Sequence, residues 1–433
     1  MRNPGAIWII ALILVLLDLY VFSVVRYVSQ GAGDRTRITI YVVYWTLSLL
    51  AVLVVLLFPY VPWFQTHQFF RNYVFAILVG LFFTKLIASV FFLTDDIRRA
   101  AVWVIGKIFP GATSGGSETD GGGITRSAFL SWLGIGIGGS LFATLIYGFS
   151  NKYNYQVKKI QLAFANLPAS FKGFKILHIS DIHSGSFQDK QAVLHGVETI
   201  AAQKADVILF TGDLVNDLAE EMNDYIDVFN RLHAPLGVYS TLGNHDYGDY
   251  YQWPDRDEAH ALKEKEAGKR LFTPLQQASI ERLKQVHATL GWRLLMNEHV
   301  ALEKNGEQIA LLGIENWGAK GNFPKYGRMD LAHPGTEQYP FKILMSHDPS
   351  HWDAEVRTKY TDIDLMLAGH THGMQFGIEL PHFKWSPVKW MYKQWAGLYE
   401  EGRQKLYVNR GYGFIGYPGR VGILPEITVI ELV

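Results

Sequence analysis

A four-span, all-α membrane unit followed by an α/β unit is the architecture this sequence predicts. Three observations predict it. The first 150 residues hold four long apolar runs, short strand-like runs alternate with helical segments from about Tyr155, and five short motifs rich in Asp, His and Asn follow, most of them trailing strand-like runs. A chain of 433 residues has room for more than one domain. Lys plus Arg and Asp plus Glu both total 40, a balance that argues against a nucleic-acid partner. The absence of Cys excludes disulfides and thiolate metal sites.

The apolar runs cover residues 6–25, 40–61, 73–93 and 128–149, within a membrane domain spanning 1–150. Each approaches the ~20 residues needed to cross roughly 30 Å of hydrocarbon. A signal peptide is the alternative for the first run. Its length, the Asp18 inside it and the three runs that follow all favour a span. An even number of spans puts both chain ends on one side. Arg26, Arg35, Arg37, Arg98, Arg99, Lys107 and Arg126 follow spans one and three, against Arg2, Arg71, Lys152, Lys158 and Lys159 opposite. That excess predicts a multi-pass cell-membrane protein whose C-terminal unit lies outside the cytoplasm. Asp18 and Lys85 fall within spans, where an interhelical ion pair is expected and snorkelling to the interface is the alternative. Residues 97–109 have an amphipathic pattern suited to a membrane surface, and 111–123 form a Gly-rich flexible loop by composition.

After a linker over 151–171, residues 174–179 read as a buried strand delivering Asp181 and His183. A helix over 188–203 leads to a strand over 206–210, which ends in Thr211-Gly212-Asp213. A helix over 220–232 precedes a strand at 237–241 and the motif Gly243-Asn244-His245-Asp246. Residues 247–290 are an insertion, helical over 258–269 and 274–289. Strands resume at 293–295, 299–303 and 309–314, then 341–345 delivers His347 and 364–368 delivers His370 and His372. Residues 405–408 and 426–432 close the unit. Right-handed β-α-β crossovers bring successive strand ends to one edge, so these ligands fall in one cleft.

The motifs are Asp181-Ile182-His183, Gly212-Asp213-Leu214-Val215-Asn216, Gly243-Asn244-His245-Asp246, Ser346-His347-Asp348 and Gly369-His370-Thr371-His372. A pair of divalent cations needs carboxylate, imidazole and amide ligands with one carboxylate between the ions. Asp181 and His183, two apart on an extended segment, point to one side and can chelate one ion. His370 and His372 can split between two. Taken singly, each motif has an ordinary reading as surface polarity or a turn. Five in series on strand ends do not.

These motifs resemble those of the calcineurin-like metallophosphoesterase superfamily: D-x-H, G-D-x-x-N/D, G-N-H-D/E, a lone H, and G-H-x-H. The resemblance runs from about Lys172 to the C-terminus, a catalytic domain over 172–433, and implies a four-layer α-β-β-α sandwich. Gly369 to Gln375 and Tyr407 to Gly413 resemble the membrane-anchored or exported bacterial branch, which includes phosphodiesterases and enzymes that cleave UDP-2,3-diacylglucosamine. That subgroup usually has a second Gly where Met374 stands. The resemblance implies one ion on Asp181, His183, Asp213 and His372, and a second on Asp213, Asn244, His347 and His370. It further implies His245 beside the leaving oxygen and Asp246 orienting His245. Nitrogen and oxygen ligands suit Mn²⁺, Fe, Zn²⁺ or Mg²⁺. Arg410 is a candidate phosphate contact, a surface arginine being the alternative.

Residues 381–395 hold three Trp, a Tyr and three Lys, a composition suited to a membrane interface. A packed loop over the sheet edge and a stacking platform for single-stranded nucleic acid are the alternatives. The expected protein is a membrane-anchored metal-dependent phosphoesterase. Its expected partners are the lipid bilayer and a phosphorylated lipid or small molecule, with no nucleic acid. A phosphodiesterase for soluble substrates on a membrane tether is the second enzyme reading, and a non-catalytic scaffold of the same fold is the third.

Overall fold

The computed structural model describes residues 4–61, 63–64, 67–108, 125–257, 260, 264, 271–321 and 323–433. The loop expected at 111–123 lies outside them, as does the helix expected at 258–269 apart from residues 260 and 264. The chain divides into two compact units, Met1–Tyr147 and Gly148–Val433.

In the first unit, α1 (Pro4–Val28), α2 (Asp34–Leu57), α3 (Gln68–Ile108) and α4 (Arg126–Gly148) include stretches long and apolar enough to cross a membrane. Within a span every backbone group must be satisfied internally, which a continuous helix does. Asp18 of α1 and Lys85 of α3 form the expected ion pair. Ser48 of α2 completes it, donating to Asp18 Oδ1 at 3.0 Å and accepting from Lys85 Nζ at 3.0 Å. The Tyr44 hydroxyl donates to the Asp18 carbonyl at 2.8 Å. An isolated charge at that depth costs about 3 kcal/mol or more, so the pair and its hydroxyl partners draw three helices together. A Cβ on Gly138 of α4 would come within 2.8 Å of the Thr84 carbonyl on α3, so the missing side chain is what lets these helices approach. Residues 97–108 do not form a separate surface helix. They continue α3, whose polar stretch is carried by Asp95–Arg98 and Asp96–Arg99 pairs at 3.0 and 3.7 Å, with no proline to interrupt it.

The second unit is built on two six-stranded sheets. β1 (Gln156–Leu162), β2 (Phe174–Ile179), β3 (Val207–Phe210), β4 (Val238–Ser240) and β5 (Arg293–Leu294) join the C-terminal β14 (Glu426–Leu432) in the order β1-β14-β2-β3-β4-β5. The second sheet contains β6 (Glu298–Lys304), β7 (Glu307–Gly313), β8 (Lys342–Met345), β9 (Leu365–Ala368), β12 (Gly397–Glu401) and β13 (Gln404–Val408), in the order β12-β13-β9-β8-β7-β6. β10 (Ile378–Leu380) and β11 (Phe383–Trp385) make a separate antiparallel hairpin. β2, β3, β4 and β5 are parallel, as are β7, β8, β9 and β13, so two sets of strand ends converge on one edge.

Apolar side chains fill three levels. Phe174, Ile176 and Leu209 meet Leu311, Ile343 and Leu367 between the sheets. Leu177, Ile208 and Phe210 pack outward against Val193, Val197 and Leu283 of α5 (Lys190–Ala201) and α6 (Pro274–Thr289). Leu312, Leu344 and Met366 pack outward on the other side against Met329, Trp352 and Val356. This is the four-layer α-β-β-α sandwich. Both long helices carry start signals: the Asp189 side chain accepts from Ala192 N at 3.0 Å, and Thr273 accepts from Gln276 N at 3.2 Å ahead of Pro274.

Two expectations change. Residues 156–162, assigned to the linker, form β1, an edge strand pairing with β14 from Gln156↔Glu426 to Leu162↔Leu432. The helix expected over 220–232 is two short turns, Ala219–Met222 and Ile226–Phe229; Asn223, Asp224 and Asn230 are weak helix formers, and the Asn223 side chain is taken up by Arg282 at 2.9 Å.

Candidate metal centre

Five of the seven candidate ligands sit where the backbone turns left-handed: Asp181 (φ 54°), His183 (49°), Asp213 (61°), His370 (71°) and His372 (49°). Non-glycine residues pay roughly 1–2 kcal/mol each for this conformation and cluster there at functional sites. The extended geometry expected for Asp181 and His183 is therefore replaced by a curl, which recurs at the ends of β3 and β9. Cross-strand bonds hold the curl. Asp181 N donates to Gly212 O at 2.9 Å, His183 N to Asp213 O at 3.1 Å, and His370 N to the Asp181 carboxylate at 3.0 Å.

The side chains gather in two groups, Asp181–His183–His372 and Asp213–His347–His370, with the donor atoms of each within 4.8 Å of one another. In the first, His183 Nε2 is 3.0 Å from His372 Nε2, which is 3.1 Å from Asp181 Oδ1. In the second, His347 Nε2 is 3.0 Å from Asp213 Oδ2, and Asn244 Oδ1 lies 2.8 Å from His370 Nδ1. Asp213 Oδ2 is also 3.6 Å from His183 Nε2, so one carboxylate reaches both groups.

The donor set fits cations. His347 Nδ1 donates to the Thr211 carbonyl at 2.8 Å, which leaves Nε2 of the neutral ring a bare lone pair. That nitrogen is buried and makes no hydrogen bond, although Asp213 is close by. Burial opposes charge on His347, yet the Asp213 carboxylate raises its pKa to about 10. Burial likewise opposes ionisation of Asp213, but the His347 and His245 imidazoles hold it well below the usual carboxylate range. The Asp213 charge that favours a proton on His347 would equally favour a cation there.

A family model for calcineurin-like phosphoesterases matches residues 174–374, and one for the transmembrane domain of calcineurin-like phosphoesterases matches residues 1–152. The chain belongs, through its catalytic unit, to the calcineurin-like phosphoesterase family. It is 29% identical over 272 residues to the uncharacterized metallophosphoesterase YkuE of Bacillus subtilis (strain 168), covering 61% of this chain and 81% of that protein. Identity to the phosphodiesterase YaeI of Escherichia coli (strain K12) is 25% over 262 residues, covering 60% and 82%. Identity to the UDP-2,3-diacylglucosamine pyrophosphatase LpxG of Chlamydia trachomatis serovar D is 27% over 284 residues, covering 57% and 81%.

In this metallophosphoesterase Asp246 does not orient His245. Its Oδ2 accepts from Gly243 N and Asp213 N at 2.8 Å, and its Oδ1 from Leu214 N at 2.8 Å and Val215 N at 3.3 Å. Asp246 thus ties the β3 loop to the β4 loop. His245 is oriented by the Asn216 carbonyl, which accepts from Nδ1 at 2.7 Å, while His245 N donates to Asp213 Oδ1 at 2.9 Å. A Cβ on Gly243 would overlap that same Asp213 oxygen, which accounts for the glycine opening the motif. Burial, then the Asp213 carboxylate, push Asp246 up to about 7, a cost that a cation on Asp213 would offset. Asp246→Asn turns one of the two accepting oxygens into a donor, leaves two of the four buried N–H groups without an acceptor, and is expected to cost about 1–3 kcal/mol of stability. The shape of the pH–rate profile should stay as in the parent, since His245 keeps its Asn216 partner. Denaturant unfolding and a pH series check both halves.

Other residues correct or extend the expected site. Arg410 is buried, and Glu426 and Glu379 hold its guanidinium, the latter at 2.7 Å, so it braces the sheet ends instead of offering a free phosphate contact. Met374 has φ 56°, the reason glycine suits that position. Sequence reasoning passed over Tyr392, whose hydroxyl lies 2.9 Å from His370 Nε2 and donates to Asp348 Oδ2 at 3.2 Å. With Nε2–H held there, Nδ1 of His370 presents its lone pair beside Asn244. Tyr392 was hidden by the aromatic stretch around it, whereas Asp348 stands in the His347 motif. Tyr250, from the insertion, accepts from Asn244 Nδ2 at 2.9 Å and places its ring 4.5 Å from that of His245.

Proposed function

We propose that this membrane-anchored metallophosphoesterase holds two divalent cations and hydrolyses a phosphodiester or pyrophosphate bond in a lipid-linked substrate. The observation that carries the two-cation reading is Asp213, with one oxygen 3.0 Å from His347 and 3.6 Å from His183. Asp181, His183, Asp213 and His372 would hold one ion; Asp213, Asn244, His347 and His370 would hold the other. Bound there, the cations would polarise the phosphoryl oxygens and lower the pKa of water. The chain's own part is orientation and proton handling. Asn216 fixes His245 with a proton on Nδ1, which leaves Nε2 to hold or give a proton at the leaving oxygen. Tyr392 and Asp348 fix His370 in the same manner.

The lipid-linked part is supported by four helices suited to crossing a membrane and by the named substrate of the LpxG relative, a diacylated nucleotide sugar. The loop charges described above support a catalytic unit outside the cytoplasm. The test is hydrolysis by the full chain in phospholipid vesicles. Bis-p-nitrophenyl phosphate and a soluble nucleotide pyrophosphate would be compared with lipid-linked diesters and pyrophosphates. A kcat/KM at least tenfold higher for one lipid-linked class is expected. Equal values for soluble and lipid substrates would contradict the lipid-linked part, and no hydrolysis of any would contradict the whole.

A further inference from the structure

In the catalytic unit, the stretch that follows the last histidine motif divides in two. Val388, Tyr392, Trp395 and Ala396 turn inward with Ile423 to form a small core. Leu380, Phe383, Trp390 and Met391 turn outward; Trp390 is 73% exposed and Leu380 59%. The rings of Trp385 and Trp390 lie 5.9 Å apart, which joins the β10–β11 hairpin to the turn after it as one surface. Lys389 and Lys393 are exposed beside these residues. Exposed large apolar groups gathered this way, with cations among them, mark an interaction site.

The occupant is indicated by where the hairpin is fastened. Gly148, the last residue of α4, accepts from Arg420 N at 2.9 Å, and the Phe149 ring lies 5.5 Å from that of Tyr417. The same 417–421 segment holds the root of the hairpin. Val421 N donates to Gln375 O at 2.8 Å, Gly377 N donates to Val421 O at 2.9 Å, and the Gln375 amide donates to Tyr417 O at 2.7 Å. The hairpin therefore springs from the loop against which the first residues of the second unit, Gly148 and Phe149, are packed. Those residues directly continue a helix long and apolar enough to cross a membrane, so chain continuity alone would keep a bilayer crossed by that helix within a few residues of this loop.

We propose that the β10–β11 hairpin and the 387–391 turn dock on the bilayer, with Leu380, Phe383, Trp390 and Met391 in the headgroup and upper acyl region and Lys389 and Lys393 against anionic headgroups. The docked element is coupled to the metal centre. Ser386 Oγ donates to Gly373 O at 2.8 Å, and Thr371 Oγ1 donates to Trp395 O at 2.7 Å. The loop carrying His370 and His372 is thereby held close to the lipid surface. The docking is independent of which phosphoester is cleaved.

The chain has no cysteine, so single labels are clean. Leu380→Cys and Phe383→Cys, with Leu331→Cys and Leu275→Cys as exposed apolar positions elsewhere on the unit, would carry an environment-sensitive fluorophore. The full chain would be reconstituted in phosphatidylcholine–phosphatidylglycerol vesicles whose acyl chains bear spin labels in both leaflets. Quenching at least threefold stronger at 380 and 383 than at 331 and 275 is expected, with blue-shifted emission at the first pair. Equal quenching at all four positions would overturn the proposal. Hydrolysis of bis-p-nitrophenyl phosphate by each labelled variant verifies folding. Because quenching reads position without turnover, its failure is distinguishable from failure of the lipid-linked substrate reading.

Discussion

Asp213→Ala is expected to lower kcat/KM on bis-p-nitrophenyl phosphate by about 10³-fold or more, the scale of losing a preorganised electrostatic element of a phosphoryl-transfer site. It should also release bound metal from both positions. Among the described residues, Asp213 supplies the one carboxylate within 3.0–3.6 Å of imidazoles in both groups, and it also anchors His245 N at 2.9 Å. Without it, His183 and His347 lose the charge that draws a cation between them, and the His245 loop loses its acceptor. Metal analysis beside steady-state kinetics separates the effects. A variant that keeps turnover within tenfold of the parent would remove Asp213 from the bridging role.

His245→Ala should act differently. The ring belongs to neither ligand group, and its Nδ1 is fixed by the Asn216 carbonyl. Loss of a positioned proton donor or acceptor is worth roughly 10²–10⁴ in kcat. Metal content should stay at the parent level and KM should change far less than kcat, since no ligand is removed. A variant that loses metal along with activity would make His245 a structural part of the ion site. Undiminished kcat would take it out of the reaction altogether.

The parts legible in the sequence were those governed by local patterns. β2, β3, β8, β9 and β14 are short apolar runs buried on both faces, and α6 announces itself through Thr273-Pro274. Each of the first four ends within a few residues of a candidate ligand, so the candidate set could be read off the chain. β1 was not legible because an edge strand needs only one protected face, and Lys158 and Lys159 interrupt its apolar pattern. Roles set by long-range contact were hidden as well. Asp246 stands next to His245 in sequence, yet its carboxylate points to backbone amides 31–33 residues earlier. Arg410 has a phosphate-contact look until Glu379 and Glu426 are found around it. Tyr392 reaches His370 across 22 residues from within a stretch whose composition signals membrane affinity. The left-handed backbone at five ligands is likewise a tertiary effect, since nothing in Asp or His demands it.

If Asp213 joins the two candidate groups, they make one dinuclear hydrolytic site. The most direct test is the metal content of the purified full chain, measured alongside turnover of bis-p-nitrophenyl phosphate. Two equivalents of divalent metal per chain are expected, with turnover lost on chelation and restored by Mn²⁺ or another divalent ion. Full turnover with one equivalent or none, or turnover that survives chelation, would contradict a dinuclear site.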